Sequence, residues 1–270
     1  MLNPIDIPAV IEKWYRALSF PEEYDSEFYK ALQNYAIPPE IRIETYPYDT
    51  MGGKWDLLAF LYMCEQTEEK YRNKGICLKI LLDTLSDIVL WCKEWSRIKG
   101  ELFLGETGWL ANHMSLQLFQ IGRLQFCMET VPEEFAHYGM TPGEHYISVH
   151  IPAIGPLTVA ECMKSFNMAR EFFATYFPEV NYTYFSCNSW LLDDTLQAYL
   201  PPDSNILQFA KLFSPVAWKE SDGLMRYIFG SDTTRENLPA CQCSSVFAKK
   251  IKDALLADKV FYSVRGLLAK

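Results

Sequence analysis

The sequence predicts a two-part α/β (α+β) protein, a helical N-terminal domain followed by a mixed β-sheet flanked by helices. Three observations carry that reading. Apolar residues recur at three- and four-residue steps through most of the first hundred positions. Residues 144–190 read strand, glycine-proline turn, amphipathic helix, strand. Strand and helix patterns then alternate to the end of the chain. At 270 residues the length suits two domains, and 49% apolar with 15% aromatic residues can fill a sizeable core. Such a composition excludes a disordered chain.

Taken in order, Asp6 is placed to cap a helix with Pro8 in its first turn and with Val10, Ile11, Trp14 and Leu18 on one face. A second helix is expected from Ser26 to Tyr35, ended by Pro38 and Pro39. After Gly52 and Gly53, residues 54–64 place Trp55, Leu58, Leu61 and Tyr62 on one side. The acidic run Glu65–Glu69, with Lys70 and Arg72, reads as a solvated helix end. Residues 76–96 form the clearest helical pattern, through Leu78, Leu81, Leu82, Leu85, Ile88, Val89 and Cys92. A further helix is expected from Trp109 to Ile121, capped by Thr107 and ended by Gly122, and RLQFCM then reads as a strand. The change from helices to strands puts the domain joint at residue 120, giving domains 1–120 and 121–270. No linker rich in Pro, Gly or Ser separates them, so tight packing is expected.

The second domain is organised around a βαβ unit. EHYISVHIP alternates polar and apolar side chains, the signature of a strand with one covered face. Ala153, Ile154 and Gly155 make a turn, and Pro156 presets φ for a helix start. From Leu157 to Tyr176 the residues Val159, Met163, Phe166, Ala169, Phe173 and Tyr176 form an apolar face, closed by Pro178. YTYFSCNSWLL suits a strand buried on both faces. Beyond it, Asp193 or Asp194 caps a short helix through Tyr199, and Ser204–Phe213 is helical. PVAWKE, LMRYIFG and part of KVFYSVRG supply late strands, and Val246–Leu256 is a helix.

A helix start directly after a strand has chemical meaning. Its unpaired backbone N–H groups and the positive end of its dipole suit a phosphate, so the amides around Gly155, Leu157 and Thr158 form a candidate anion site. The same residues also serve merely to turn a strand into a helix, and one glycine is far less specific than a full phosphate loop.

Three stretches carry a resemblance: GETGWLANHMSLQLFQIGRLQF at 105–126, VHIPAIGPLT at 149–158 and YFSCNSWLLD at 184–193. Over nearly its whole length the chain resembles bacterial acyltransferases that join a helical N-terminal domain to a GNAT-like C-terminal domain. The resemblance implies transfer of an acyl group from acetyl-CoA or another acyl-CoA to a small amine or hydroxyl acceptor. It places the pantetheine between two splayed strands, 145–152 and 182–190, and the pyrophosphate on the helix start at 155–158. Cofactor-binding positions are then Val149, Ile151, Ala153, Ile154, Gly155, Leu157 and Thr158, with Asn188 facing the pantetheine amides. Where the family usually carries Gln/Arg-x-x-Gly-x-Gly/Ala, this sequence has Ala153, Ile154, Gly155, Pro156 and Leu157, with one glycine and no Gln or Arg.

Direct acyl transfer needs a base for the acceptor proton, donors for the oxyanion and an acid for the leaving thiolate. His150, on the strand lining the opening, is the candidate base, since an imidazole ordinarily titrates near about 6.5. Glu129 and Glu106 are alternatives, acting directly or through water. The resemblance implies a tyrosine on the helix after the second splayed strand as general acid, which maps to Tyr199, although its spacing from Asn188 departs from the family pattern. Two other functions use the same residues: a cysteine hydrolase with Cys187 and His150 as nucleophile and base, or a catalytically inactive module that binds acyl-CoA or another ligand.

The net charge of −9 and the lack of a basic patch argue against nucleic acid and an anionic membrane surface, and favour a cationic or neutral acceptor. The eight cysteines sit mostly in apolar segments, which suits a reducing compartment, and Cys241-x-Cys243 lacks the further ligands of a zinc site, so no metal is expected. Neither a signal peptide nor a membrane span is visible, and the expected location is the cytoplasm. A homodimer is left open.

Overall fold

The computed structural model describes residues 6–48 and 50–270, so the N-terminal reading rests in part on residues outside it. The chain forms two compact units, one of residues 1–121 with 125–127 and one of residues 122–124 with 128–270.

The first unit contains helices α1 (Ile7–Ala17), α2 (Asp25–Asn34), α3 (Lys54–Lys74), α4 (Leu78–Leu85), α5 (Asp87–Lys99) and α6 (Thr107–Met114), then strand β1 (Leu118–Ile121). Asp6 caps α1 through Ala9 N–H, as its position predicts. Ile11, Trp14 and Tyr15 are buried, and Tyr15 stacks on Phe28 of α2 with ring centroids 3.7 Å apart. Helix α3 is the centre of this unit, buried on every side from Asp56 to Cys64.

Four expectations change here. Helix α3 continues to Gly75, whose φ of +74° ends it, so the acidic run lies inside the helix. There Glu65 and Glu68 both bind Lys13, at 2.8 and 3.0 Å, instead of facing only water. The 76–96 pattern is two helices, α4 and α5, parted at Ser86, whose hydroxyl donates to the Asp83 carbonyl. Leu78, expected on the buried face, is exposed at the start of α4. The helix expected to reach Ile121 stops at Met114, because Leu116 adopts φ of +61° and turns the chain into β1. All four β1 residues are buried, so no alternation marked it as a strand.

Strand β2 (Leu124–Thr130) follows the turn at Gly122 and Arg123, and its last residues enter the second unit. That unit continues with β3 (His145–His150), α7 (Val159–Tyr176), β4 (Tyr182–Ser189), α8 (Asn205–Ala210), β5 (Ser214–Glu220), α9 (Gly223–Phe229), α10 (Val246–Leu256) and β6 (Tyr262–Ala269). Strands β3 to β6 lie in the order β3-β4-β6-β5. The β3–β4 pair is parallel, joined through α7, and β4–β6 and β6–β5 are antiparallel, so the sheet is mixed as predicted. Phe166 of α7 meets Phe185 of β4 edge-on at 5.0 Å, which identifies the sheet face that α7 covers.

Helix α7 begins at Val159, two residues later than expected. Thr158 is its cap, accepting from Glu161 N–H, which leaves Pro156 and Leu157 in the connecting turn. LMRYIFG, expected as a strand, is helix α9: Leu224, Met225, Ile228 and Phe229 repeat at helical spacing and all pack on one cluster with Leu196, Ile251 and Phe261. Asp193 caps the following short helix as expected, Ser204 caps α8, which ends at Ala210 and not at Phe213, and α10 has the predicted limits. Among the described residues no helix is long and apolar enough to cross a membrane.

Candidate active site

Strand alternation sorts the second unit's sheet into two unlike faces. Ile147 pairs with Phe185 and Val149 with Cys187, and these four buried side chains share the face covered by α7. The residues between them, Tyr146, Ser148 and His150 on β3 and Ser186 and Asn188 on β4, share the other face with Ser263 and Arg265 of β6. Hydrogen bonds connect this polar set. The Ser148 hydroxyl lies 3.0 Å from His150 Nε2, Arg265 Nη1 donates to Ser186 Oγ at 3.1 Å, and Ser263 Oγ donates to Asn188 Oδ1 at 3.1 Å. The Tyr146 hydroxyl donates to the Glu129 carboxylate of β2. Burial, reinforced by that carboxylate, raises the Tyr146 pKa, so the phenol stays protonated.

The β3–β4 register extends to Val149↔Cys187, whereas β4 remains paired with β6 as far as Ser189. The β3–β4 pairing thus stops one residue short of the end of β3, and His150 and Asn188 are the first residues beyond it, on the two sides of the place where the opening is expected. Chain residues 151–158 lead from that opening to the start of α7. Gly155 has φ of +46°, in the left-handed region that favours glycine, and nothing stands within 4 Å of the place a Cβ would take.

A residue outside the sequence-predicted set holds this turn. Arg123, in the β1–β2 turn, donates from Nε to Pro156 O at 3.1 Å, from Nη1 to Pro152 O at 3.1 Å and from Nη2 to Gly155 O at 3.3 Å. Its own backbone N–H donates to Ser165 Oγ of α7 at 2.7 Å. No carboxylate is paired with Arg123 among the described residues. Burial draws its pKa below the ordinary arginine value, which still leaves it charged. A cation thus stands at the turn where the family motif would place a Gln or Arg, supplied from 29 to 33 positions upstream. The one legible signal was GR between two apolar runs, the mark of a two-residue hairpin turn.

The structure brings His150, Glu129 and Asn188 to the polar face and sets Ala153, Ile154, Gly155, Leu157 and Thr158 in or beside the turn. Val149 and Ile151 flank the opening, Val149 pointing towards α7. Tyr199 has another setting: its ring packs on Phe261, 5.6 Å away, in the cluster around Leu196 and Ile251. Glu106 begins α6 in the first unit, with φ of +55°. Cys187 is fully buried on the face opposite His150, and burial pushes its thiol up to about 12. That geometry removes the nucleophile-base pair. A cavity of about 420 Å³ beside Leu192, Leu207, Phe213 and Gly266 includes none of the predicted site residues in its walls. Among the described residues no group of three or more His, Cys, Asp or Glu side chains is arranged to hold a metal ion.

Two strands parting over a helix start, with one polar and one helix-covered face, define the class as a GNAT-like acyltransferase fold. Residues 118–268 match the model of the GNAT-like C-terminal domain and residues 3–116 that of the N-acyltransferase N-terminal domain, and the chain belongs to this GNAT-like family. No curated protein matches the chain. Among solved structures, an acyltransferase in complex with decanoyl-CoA and teicoplanin superimposes with a TM-score of 0.80 at 20% identity, over 100% of this chain and 91% of that one. An acyltransferase mutant in complex with octanoyl-CoA gives 0.80 at 19% identity with the same coverage. A third acyltransferase, in complex with decanoyl-CoA, gives 0.70 at 22% identity over 99% and 80% of the two chains. At these identities the likeness is one of fold.

Proposed function

We propose that the chain transfers an acyl group from acyl-CoA to a small amine or hydroxyl acceptor by direct attack. The single observation that carries this reading is the opening between β3 and β4, flanked by His150 and Asn188 and leading to a turn that Arg123 makes cationic. Family membership supports it, and the solved structures similar in fold are described with decanoyl-CoA, octanoyl-CoA and teicoplanin. The residues present fit a CoA pyrophosphate: a charged guanidinium, open space at Gly155 and a helix start capped by Thr158. The division into a helical part, 1–120, and a transfer domain, 121–270, belongs to the same proposal.

The acyl-CoA supplies an acyl group activated as a thioester. On the protein side, Arg123 and the first-turn amides of α7 neutralise phosphate charge, and Asn188 meets the pantetheine amides. His150, its ring oriented by the Ser148 hydroxyl, accepts the proton that the acceptor gives up as its bond to the acyl carbon forms. Glu129 is the second candidate base, with one oxygen already held by Tyr146. The leaving thiolate takes the electron pair of the broken C–S bond.

A second reading has its own observation. The turn carries one glycine instead of the family's two, which favours an inactive module that binds acyl-CoA without turning it over. Calorimetric titration with acetyl-CoA, decanoyl-CoA and free CoA tests the binding common to both readings, and thiol release with an acceptor panel separates them. Gly155→Asp should lose CoA binding, because the added carboxylate repels phosphate, and Gly155→Asn, which meets the same positive φ without the charge, should keep most of it. Wild-type protein that binds none of the three at millimolar concentration would overturn the proposal.

A further inference from the structure

The polar face holds a second cation besides the one at the turn. Arg265 is on β6, paired with β4 on one side and β5 on the other, so its backbone is held from both directions. Its guanidinium lies 4.0 Å from the ring centroid of Phe135 and donates to Ser186 Oγ. Among the described residues no carboxylate comes within 4 Å of it. Glu129 accepts a hydrogen bond from the Tyr146 hydroxyl, which stands beside Arg265. Its protein partners are the hydroxyls of Ser186 and Tyr146, both neutral, which leaves further guanidinium N–H groups and the whole positive charge for a ligand.

Such an arrangement is costly without an anion. A half-buried guanidinium loses hydration, and neutral hydroxyls do not replace a counter-charge. Contact with the Phe135 ring restrains the guanidinium, whose planar fork suits a carboxylate through two parallel bonds. Ser186, its hydrogen-bond partner, is the register neighbour of Ser148, which holds His150. The cation and the candidate base thus stand on one face, each beside one of two serines in adjacent register.

We propose that Arg265 is an anion subsite for the acyl acceptor, and that the acceptor is an amine bearing a carboxylate, of the amino-acid class. This rests on the acyl-transfer reading above. The net charge of −9 favours a neutral or cationic acceptor, but local donors at contact distance outweigh a diffuse charge screened beyond about 8–10 Å.

The test uses products, so that it does not depend on turnover. N-acetylglycine and N-decanoylglycine, each beside its N-methylamide, are titrated calorimetrically into the whole protein, with free CoA in a parallel arm. The expected result is that at least one acid binds tenfold or more tighter than its amide, and that Arg265→Gln removes the difference while leaving CoA affinity unchanged. Arg265→Lys, which keeps the charge and loses the fork, should keep only part of it. Equal binding of acid and amide, an acid preference that survives Arg265→Gln, or no binding of either acid overturns the subsite. The CoA arm judges the acyl-transfer reading separately, since failure there with the acid preference intact removes the cosubstrate and keeps the subsite.

Discussion

His150 and Cys187 lie on neighbouring strands, but the pleat sends them to opposite faces, and that removes the nucleophile-base pair of a cysteine hydrolase. Two measurements follow at this scale. Iodoacetamide at pH 7.5 should label exposed Cys77 and Cys243 well before Cys187, because a thiol pushed up to about 12 is almost wholly protonated there. Rapid labelling of Cys187 in folded protein, mapped by mass spectrometry, would restore the hydrolase reading. His150→Ala should lower kcat by about 100- to 10,000-fold, the usual worth of a general base. CoA affinity should be unchanged by it. Arg123→Gln should do the reverse, weakening CoA by roughly tenfold or more through lost charge-assisted bonds, with a smaller effect on kcat.

At the scale of elements, the sheet between β4 and β5 depends on a close approach at Gly266. A Cβ there would sit 2.7 Å from Phe213 Cβ and 2.9 Å from Leu192 Cδ1, so Gly266→Ala forces β6 away from its helix layer. The expected loss is about 1–3 kcal/mol, read from urea unfolding. Helix α7 offers a milder test: Thr158→Ala removes a cap worth about 1 kcal/mol and frees the Glu161 amide beside the candidate phosphate site. Elements with strong local signals are legible in the amino acids themselves. The Asp6 cap, the βαβ unit and the limits of α10 each rest on a few neighbouring residues. LMRYIFG and SLQLFQI mislead, because short apolar runs hold no period long enough to tell helix from strand.

At the scale of the whole molecule, the first unit has its own buried electrostatic centre. Asp87 Oδ2 lies 3.0 Å from His113 Nε2 and accepts from the indoles of Trp91 and Trp109, with both ionisable side chains almost wholly buried. Burial alone would raise the Asp87 carboxyl, but His113 and these donors hold it below the usual range. A depressed carboxylate contributes stability that is complete above its unfolded value near pH 3.9 and lost as pH falls through the folded one. Acid unfolding of this unit, followed by tryptophan fluorescence, should therefore begin below about pH 4. Asp87→Ala should cost about 1–3 kcal/mol or more by leaving the buried His113 ring and two indole N–H groups without their acceptor, and should flatten that acid limb. Unchanged acid unfolding in Asp87→Ala would assign the transition to other carboxylates.

Neighbours along the chain suffice to specify the helical first part, the strand-turn-helix-strand unit, the position of Gly155 and the presence of His150 on the strand beside it. Periodicity and capping act within one turn or one strand, so the amino acids display them directly. Which distant residues meet was settled by tertiary contacts alone. They brought Arg123 to the 152–156 turn, set Arg265 of the last strand against Ser186 and Phe135, sent Tyr199 into an apolar cluster and turned Cys187 away from His150. The reason is that sheet order and register join strands far apart in the chain, and a shift of one residue in register exchanges one face for the other.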